Sequence, residues 1–234
     1  MFTSVPVPML NSLLTRRSLL TSVAPVGWCC AAGGRAPSSP ADLMKRIGGP
    51  IMAIPTPFNR DDSVDYQGVR NMVKLGLAHG IRVYQLTAGD SQYHALGYEE
   101  IKQLTRVLVE AVGGRATVIA ATGAWWTARA VDYAKFAEAT GADGLQVFVP
   151  RGSEQGILDY YRAIAEAVRI GLVLHGNISL PLLEKLIGIE SVVAMKEDVT
   201  EKYYFDIQRK FGRRLAIFCG GQKWRYLVGQ PYES

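Results

Sequence analysis

A lysine that closes a buried strand can serve as a nucleophile, and Ser191-Val192-Val193-Ala194-Met195-Lys196-Glu197-Asp198 contains one. The valine-rich run before it suits a strand covered on both faces, as in a parallel sheet. Lys196 stands at the C-terminal end of that strand, the end where a barrel of parallel strands carries its active site. Attack on a carbonyl needs the free amine. An ordinary lysine, with pKa about 10.4, is under a thousandth deprotonated at pH 7. Lowering it by about three units takes roughly 4 kcal/mol of differential stabilisation, which desolvation can supply. A solvated lysine after a strand fits the same local sequence. Metal chemistry has little to stand on. His79, His94 and His175 lie in unrelated contexts, and no His-x-x-x-His or Cys-x-x-Cys spacing occurs. No cofactor is called for.

The elements that must position Lys196 are legible as an alternation of short apolar runs and longer helical patterns, which builds a parallel sheet from repeated βα units. The runs are Pro50 to Ile54, Ile81 to Thr87, Ala116 to Ala121, Gly144 to Val149, Gly171 to His175, Ser191 to Lys196 and Leu215 to Cys219. Between them, helices are predicted near Val64 to His79, Tyr98 to Val112, Thr127 to Thr140, Gln155 to Arg169, Leu180 to Ile187 and Thr200 to Phe211. Val69, Met72, Val73, Leu75 and Ala78 form an apolar stripe on the first of these, with Asp61, Asp62 and Ser63 offering cap groups ahead of it. The units read as an α/β fold, a (β/α)8 TIM barrel. No glycine-rich phosphate fingerprint follows the first strand, which speaks against a dinucleotide-binding fold. Gln222 to Val228 can begin a helix, but no eighth strand is read behind it. The expectation is therefore an incomplete barrel over residues 47–234, a fragment with exposed strand edges.

The 234 residues, 48% hydrophobic and 20% charged, are ordinary for a globular protein. Their front is different. Residues 1–32 carry Arg16-Arg17 ahead of a moderately apolar segment and a small-x-small site at Cys30-Ala31-Ala32, which reads as a twin-arginine export signal too short to span a bilayer. Residues 33–46, with Arg35 to Pro40, read as a linker. Cleavage after Ala32 would remove Arg16, Arg17, Cys29 and Cys30, leaving Cys219 without an intramolecular partner and lowering the net charge from +5 to +3. The expected place is the periplasm or beyond it, otherwise the cytoplasm, with no stable membrane anchor. Without an arginine cluster interleaved with aromatics, nucleic acid is not expected as a partner.

The ordered motifs IMAIPTPF with DDSVD after it, LTAGDS, VIAATGAWWTARAVDYAKFAEATGADGLQVFVP, VVAMKED and FCGG resemble the dihydrodipicolinate synthase and N-acetylneuraminate lyase family, pyruvate-type class I aldolases on a (β/α)8 barrel. The resemblance runs from Ile47 nearly to the end. It implies that Lys196 forms a Schiff base with a 2-keto acid or a substrate derived from a sugar acid, because a protonated imine is an electron sink for the neighbouring carbon. It implies that Thr87-Ala88-Gly89-Asp90-Ser91 stands where the family has a GTTGE loop that holds the substrate carboxylate. There Thr87 keeps a relay hydroxyl, Ala88 removes a donor, and Gly89 and Asp90 complete the contact. Gly220, in FCGG, falls among substrate-binding positions in the same way.

The departures from the family are as informative as the matches. His175, in Leu172-Val173-Leu174-His175-Gly176-Asn177, occupies the position of the family's acid and base tyrosine, with Asn177 placed to orient it. An imidazole can shuttle protons at neutral pH. A second family tyrosine is missing where Val149-Pro150 runs into Arg151-Gly152-Ser153, and no arginine follows Ile178-Ser179. These losses point to a Schiff-base lyase, an aldolase or dehydratase, that is not dihydrodipicolinate synthase itself. A degenerate barrel that binds a keto acid without turnover, and an inactive piece of a longer enzyme, are the alternatives. The implied partner is a small 2-keto acid, and the family's assemblies imply a homo-oligomer.

Overall fold

A computed structural model of the chain describes residues 38–220. The export signal read in residues 1–32, with Cys29 and Cys30, and the helix read from Gln222 lie outside the described residues. Within them the chain runs α1 (Pro40–Arg46), β1 (Ile51–Ala53), α2 (Tyr66–Ala78), β2 (Val83–Gln85), a short 3₁₀ turn (Tyr93–Ala95), α3 (Tyr98–Val112), β3 (Thr117–Ala121), α4 (Thr127–Thr140), β4 (Gly144–Phe148), α5 (Glu154–Ala167), β5 (Gly171–His175), α6 (Leu180–Ile187), β6 (Val192–Glu197), α7 (Glu201–Phe211) and β7 (Ala216–Cys219). The strands form one sheet in the order β1-β2-β3-β4-β5-β6-β7, every neighbouring pair parallel. This is the strand order of a (β/α)8 barrel with seven of its strands among the described residues. All seven apolar runs became strands and each helix expected between them formed within a few residues of its place.

Period-two alternation sends successive side chains to opposite faces of each strand. One face meets the helices in a core that includes Tyr84, Tyr133, Tyr161, Leu104, Leu172 and Met195. The other face gathers Val83, Ile119, Val173, Val193 and Ala194 around Leu43. Register matters for the chemistry. Leu172 pairs with Val192 but Val173 pairs with Ala194, so Val193 is an extra residue in β6. Beyond that bulge His175 stands opposite Lys196, which in turn stands opposite Phe218.

The stretch expected as a linker contains a helix instead. Ser39 caps α1 by accepting from the Asp42 amide at 3.2 Å, and Pro40 occupies the first turn, where its missing N–H costs nothing. Leu43, fully buried, enters the inner face of the sheet at its N-terminal end. It fits because β4 and β5 begin with glycine: a Cβ on Gly144 would stand 2.5 Å from Leu43 Cδ2, and one on Gly171 2.7 Å from it. Asp143 ties this floor together. Its carboxylate accepts from Ser38 Oγ at 2.5 Å, from Arg46 at 3.2 Å and from the Val118 amide at 2.9 Å.

In α2 the cap also differs from the reading. Asp65 accepts from the Gly68 amide at 2.8 Å, while Asp61 and Ser63 bond each other in a separate turn. Leu75, 60% exposed, lies off the buried stripe made by Val69 and Val73.

Candidate active site

Lys196 and His175 sit side by side at the C-terminal ends of β6 and β5, their side chains mostly shielded at 12% and 15% exposure. Between them is a residue that the sequence reading passed over. Asp198 Oδ2 pairs with Lys196 Nζ at close range and with His175 Nε2 at 3.1 Å, and its Oδ1 accepts from the Gly220 amide at 2.9 Å. Backbone geometry explains the meeting. Lys196 and Asp198 are two apart on an extended chain and so share a face, while Glu197 between them points the other way. Glu197, fully buried, accepts from the amides of Val199 and Thr200, fixing the turn out of β6. Thr200 then caps α7 by accepting from the Tyr203 amide at 3.2 Å.

Burial works to raise the Asp198 carboxyl, but its bonds to His175 and Lys196 outweigh that and hold it well below the usual carboxylate range. It is therefore an anion at any physiological pH, an orienting charge rather than a proton acceptor. The imidazole has a second anchor. Gln146, fully buried on β4, bonds His175 Nδ1 through its Nε2 at 3.1 Å, and Gln85 Nε2 on β2 donates to Gln146 Oε1 at close range. With Gln146 as donor to Nδ1, the neutral ring carries its proton on Nε2, aimed at Asp198. A hydrogen-bonded chain thus runs from the buried Gln85 and Gln146 through His175 to Asp198 and Lys196, across four strands.

Thr87 Oγ1 donates to Asp90 at 3.0 Å and accepts from the Asp90 amide at 2.9 Å, so this hydroxyl serves its own loop. Ser91, fully buried, bonds the Thr87 amide and the Ile54 carbonyl, fastening the loop to the end of β1. Ala88 is partly buried, and Gly89 and Asp90 are exposed beside it. Asn177 is exposed and is not among the partners of His175; the orienting role expected of it falls to Gln146 and Asp198. Gly220 joins the lysine end directly. A Cβ there would stand 2.5 Å from Asp198 Oδ1 and 3.1 Å from Lys196 Nζ, so only glycine leaves that approach open.

The model of the dihydrodipicolinate synthetase family matches residues 46–226. The chain belongs to that family. Among curated relatives, it is 28% identical over 183 residues to the 4-hydroxy-tetrahydrodipicolinate synthase of Geobacter metallireducens, covering 74% of this chain and 63% of that one. It is 36% identical over 135 residues to the enzyme of the same name from Leptothrix cholodnii, covering 56% and 46%. Dihydrodipicolinate synthase from Oceanobacillus iheyensis superposes with a TM-score of 0.73 at 27% identity, over 81% of this chain and 68% of that one. N-acetylneuraminate lyase from Mycoplasma synoviae shares the fold, with a TM-score of 0.71 at 21% identity, over 79% and 66%. The chain thus spans less than two thirds of the length of these curated dihydrodipicolinate synthetase relatives. The names of these relatives lend no support to setting that synthase activity aside; that expectation rests on the substituted residues alone.

Proposed function

We propose that this protein is a lyase that joins Lys196 to the keto carbon of a 2-keto acid as an imine. The observation that carries the reading is the Lys196–Asp198–His175 cluster, an amine and an imidazole held on one carboxylate where parallel barrel strands end. Lys196, once deprotonated, attacks the keto carbon to give a carbinolamine, which loses water to give the protonated imine. The imine then accepts the electron pair released when the adjacent carbon loses a proton or a carbon fragment. Because Asp198 stays ionised, the proton traffic falls to His175. If the two glutamine amides turn over together, Gln146 Oε1 accepts from Nδ1–H and Nε2 is free to take the proton that Lys196 gives up. The exchange swaps the oxygen and nitrogen of each amide and leaves the rest of both side chains in place.

Borohydride reduction with pyruvate, read by intact mass and peptide mapping, tests the reading. The expected result is a stable adduct on Lys196 that is absent from Lys196→Ala. No adduct in folded protein would transfer the case to the second reading, a barrel that binds a keto acid without turnover. Loss of the family's tyrosine to His175 and of a loop hydroxyl to Ala88 favours a substrate other than that of the synthase, from the keto-acid or sugar-acid class. Synthesis of 4-hydroxy-tetrahydrodipicolinate, the activity for which its relatives are named, belongs in the same assay panel.

Export through a twin-arginine leader and assembly into a homo-oligomer are separate proposals, supported by Arg16-Arg17 with the segment after them and by family kinship. A reporter fused to residues 1–40 is expected in the periplasm, and retained in the cytoplasm when both arginines become lysine. Retention of the unaltered fusion would refute export.

A further inference from the structure

Behind the lysine cluster stands a carboxylate that the imine chemistry does not use. Glu197 follows Lys196 on β6, and strand alternation turns it toward the helix-covered face of the sheet while Lys196 and Asp198 face the other way. It is fully buried, in register with Cys219 of β7. A charged side chain is rarely taken that far from water unless its partners hold it there. Its Oε1 accepts from two successive backbone amides, Val199 at close range and Thr200 at 3.0 Å. Bonds from amides to a carboxylate are about twice as strong as neutral ones. They draw the first residues beyond the strand into a tight turn, and inside that turn stands Asp198.

Apolar burial contributes little to the shape of this turn, because Val199 at its tip is 36% exposed. The brace continues past it. Thr200 caps α7 by accepting from the Tyr203 amide at 3.2 Å, and the Tyr203 hydroxyl donates to the Ile178 carbonyl, in the loop that leaves β5. Burial, and after it the Glu197 charge, push the Tyr203 phenol up to about 12, so it keeps the proton it donates. His175 ends β5 and Lys196 lies one residue from the end of β6. One carboxylate behind the sheet thus fastens the exits of both strands that carry the cluster. Asp198 is itself 36% exposed, so once the turn loosens its carboxylate can exchange Lys196 for water.

We propose that Glu197 is a positioning residue, which holds Asp198 against Lys196 and His175 and so sets how much of Lys196 is free amine. Its bearing on catalysis rests on the imine reading; its bearing on the amine does not. The sign is the reverse of what a purely structural role gives: loosening this buried brace makes the lysine more reactive, because the ammonium loses its counter-charge.

Brief labelling of the full chain with acetic anhydride at pH 7, read by peptide mapping, measures the amine of Lys196 against the exposed Lys74. Glu197→Gln keeps an oxygen at the same reach, and the ratio of the two labels should stay within about twofold of the unaltered chain. Glu197→Asp keeps the charge but draws the oxygen back by one methylene, and should raise the ratio by about threefold or more, towards the value in Asp198→Asn. In an Asp198→Asn background the same change should alter the ratio by less than about twofold, since no carboxylate is left to position. A rise in Glu197→Gln with none in Glu197→Asp would mean that the buried charge acts on the lysine directly, and would overturn the inference. So would an unchanged or lower ratio in Glu197→Asp, or an equal rise in both backgrounds. Glu197→Ala, which leaves no buried charge, gives the same reading where circular dichroism shows Glu197→Asp unfolded. Failure of both to fold would make Glu197 a folding residue alone, and the inference falls. Pyruvate adduct formation under borohydride, run on the same variants, should follow the labelling ratio. No adduct in any of them, with the labelling ratios as expected, would sink the imine reading and leave the brace standing.

Discussion

Replacing Asp198 by asparagine removes a charge and little else. The side chain keeps its shape, Oδ1 can still accept from the Gly220 amide, and an amide still reaches His175. What is lost is the anion beside the Lys196 ammonium. Two unit charges about 4 Å apart interact by roughly 4 kcal/mol at an effective dielectric of about 20. Asp198 is 36% exposed, so solvent and salt screen much of that, leaving about 1.4 kcal/mol. That is about a factor of ten in an equilibrium constant. The carboxylate stabilises the ammonium against the free amine that attacks, so its removal should speed pyruvate adduct formation at pH 7, followed by intact mass, about tenfold. A rate that is unchanged or slower would show that Asp198 does not hold the ammonium, and the account of the cluster would be wrong.

The same carboxylate sets an acid limit on stability. Its folded-state value lies below the ordinary 3.8, so its contribution is complete above about that pH and is lost as pH falls through the lower value. In urea titrations, the difference between the unaltered chain and Asp198→Asn should be flat from pH 5 to 7 and shrink below pH 3.8. Gln146→Leu leaves both Gln85 and His175 Nδ1 without a buried partner, a cost of about 1–3 kcal/mol, and the plateau rate of adduct formation should fall about tenfold or more with circular dichroism unchanged. Gly144→Ala drives a methyl into Leu43 and should cost about 1–3 kcal/mol, and Leu43→Ala alone about 2–5 kcal/mol. Measured by urea denaturation, the double variant should be well short of additive, and strict additivity would remove Leu43 from the floor.

The barrel was legible because its strands are short runs of valine, leucine and alanine cut off by glycine, lysine or aspartate, and its helices carry their own starts and stops. Lys196 and His175 were legible because each ends such a run. Asp198 was not, since it stands in a loop and looks like surface charge, yet its signal was present: on extended backbone the residue two beyond a lysine shares its face. Gln85 and Gln146 also announced themselves, as amides inside Val83-Tyr84-Gln85-Leu86 and Leu145-Gln146-Val147, where every neighbour is apolar. That they find each other and His175 depends on register across three strands, which no local pattern encodes. The helix α1 was hidden by composition. Ser39-Pro40-Ala41-Asp42 is both a linker-like string and a good helix start, and only the void that Gly144 and Gly171 leave for Leu43 decides between them.

The floor of the barrel is made from the first described residues, Ser38 to Arg46, and closes against the middle of the chain. Ser38 and Arg46 reach Asp143 across 105 and 97 residues of sequence. Neither contact can form until β3 and β4 have been placed, and Leu43 has no seat until β5 has joined them. Closure over such separations comes late in folding because the chain entropy it costs is large. Contacts made after the rate-limiting step govern escape from the native state more than arrival at it. The helix at the start of the described chain therefore acts on lifetime: it is a latch that sets how long the barrel stays shut, while the sheet above it sets how fast the barrel forms.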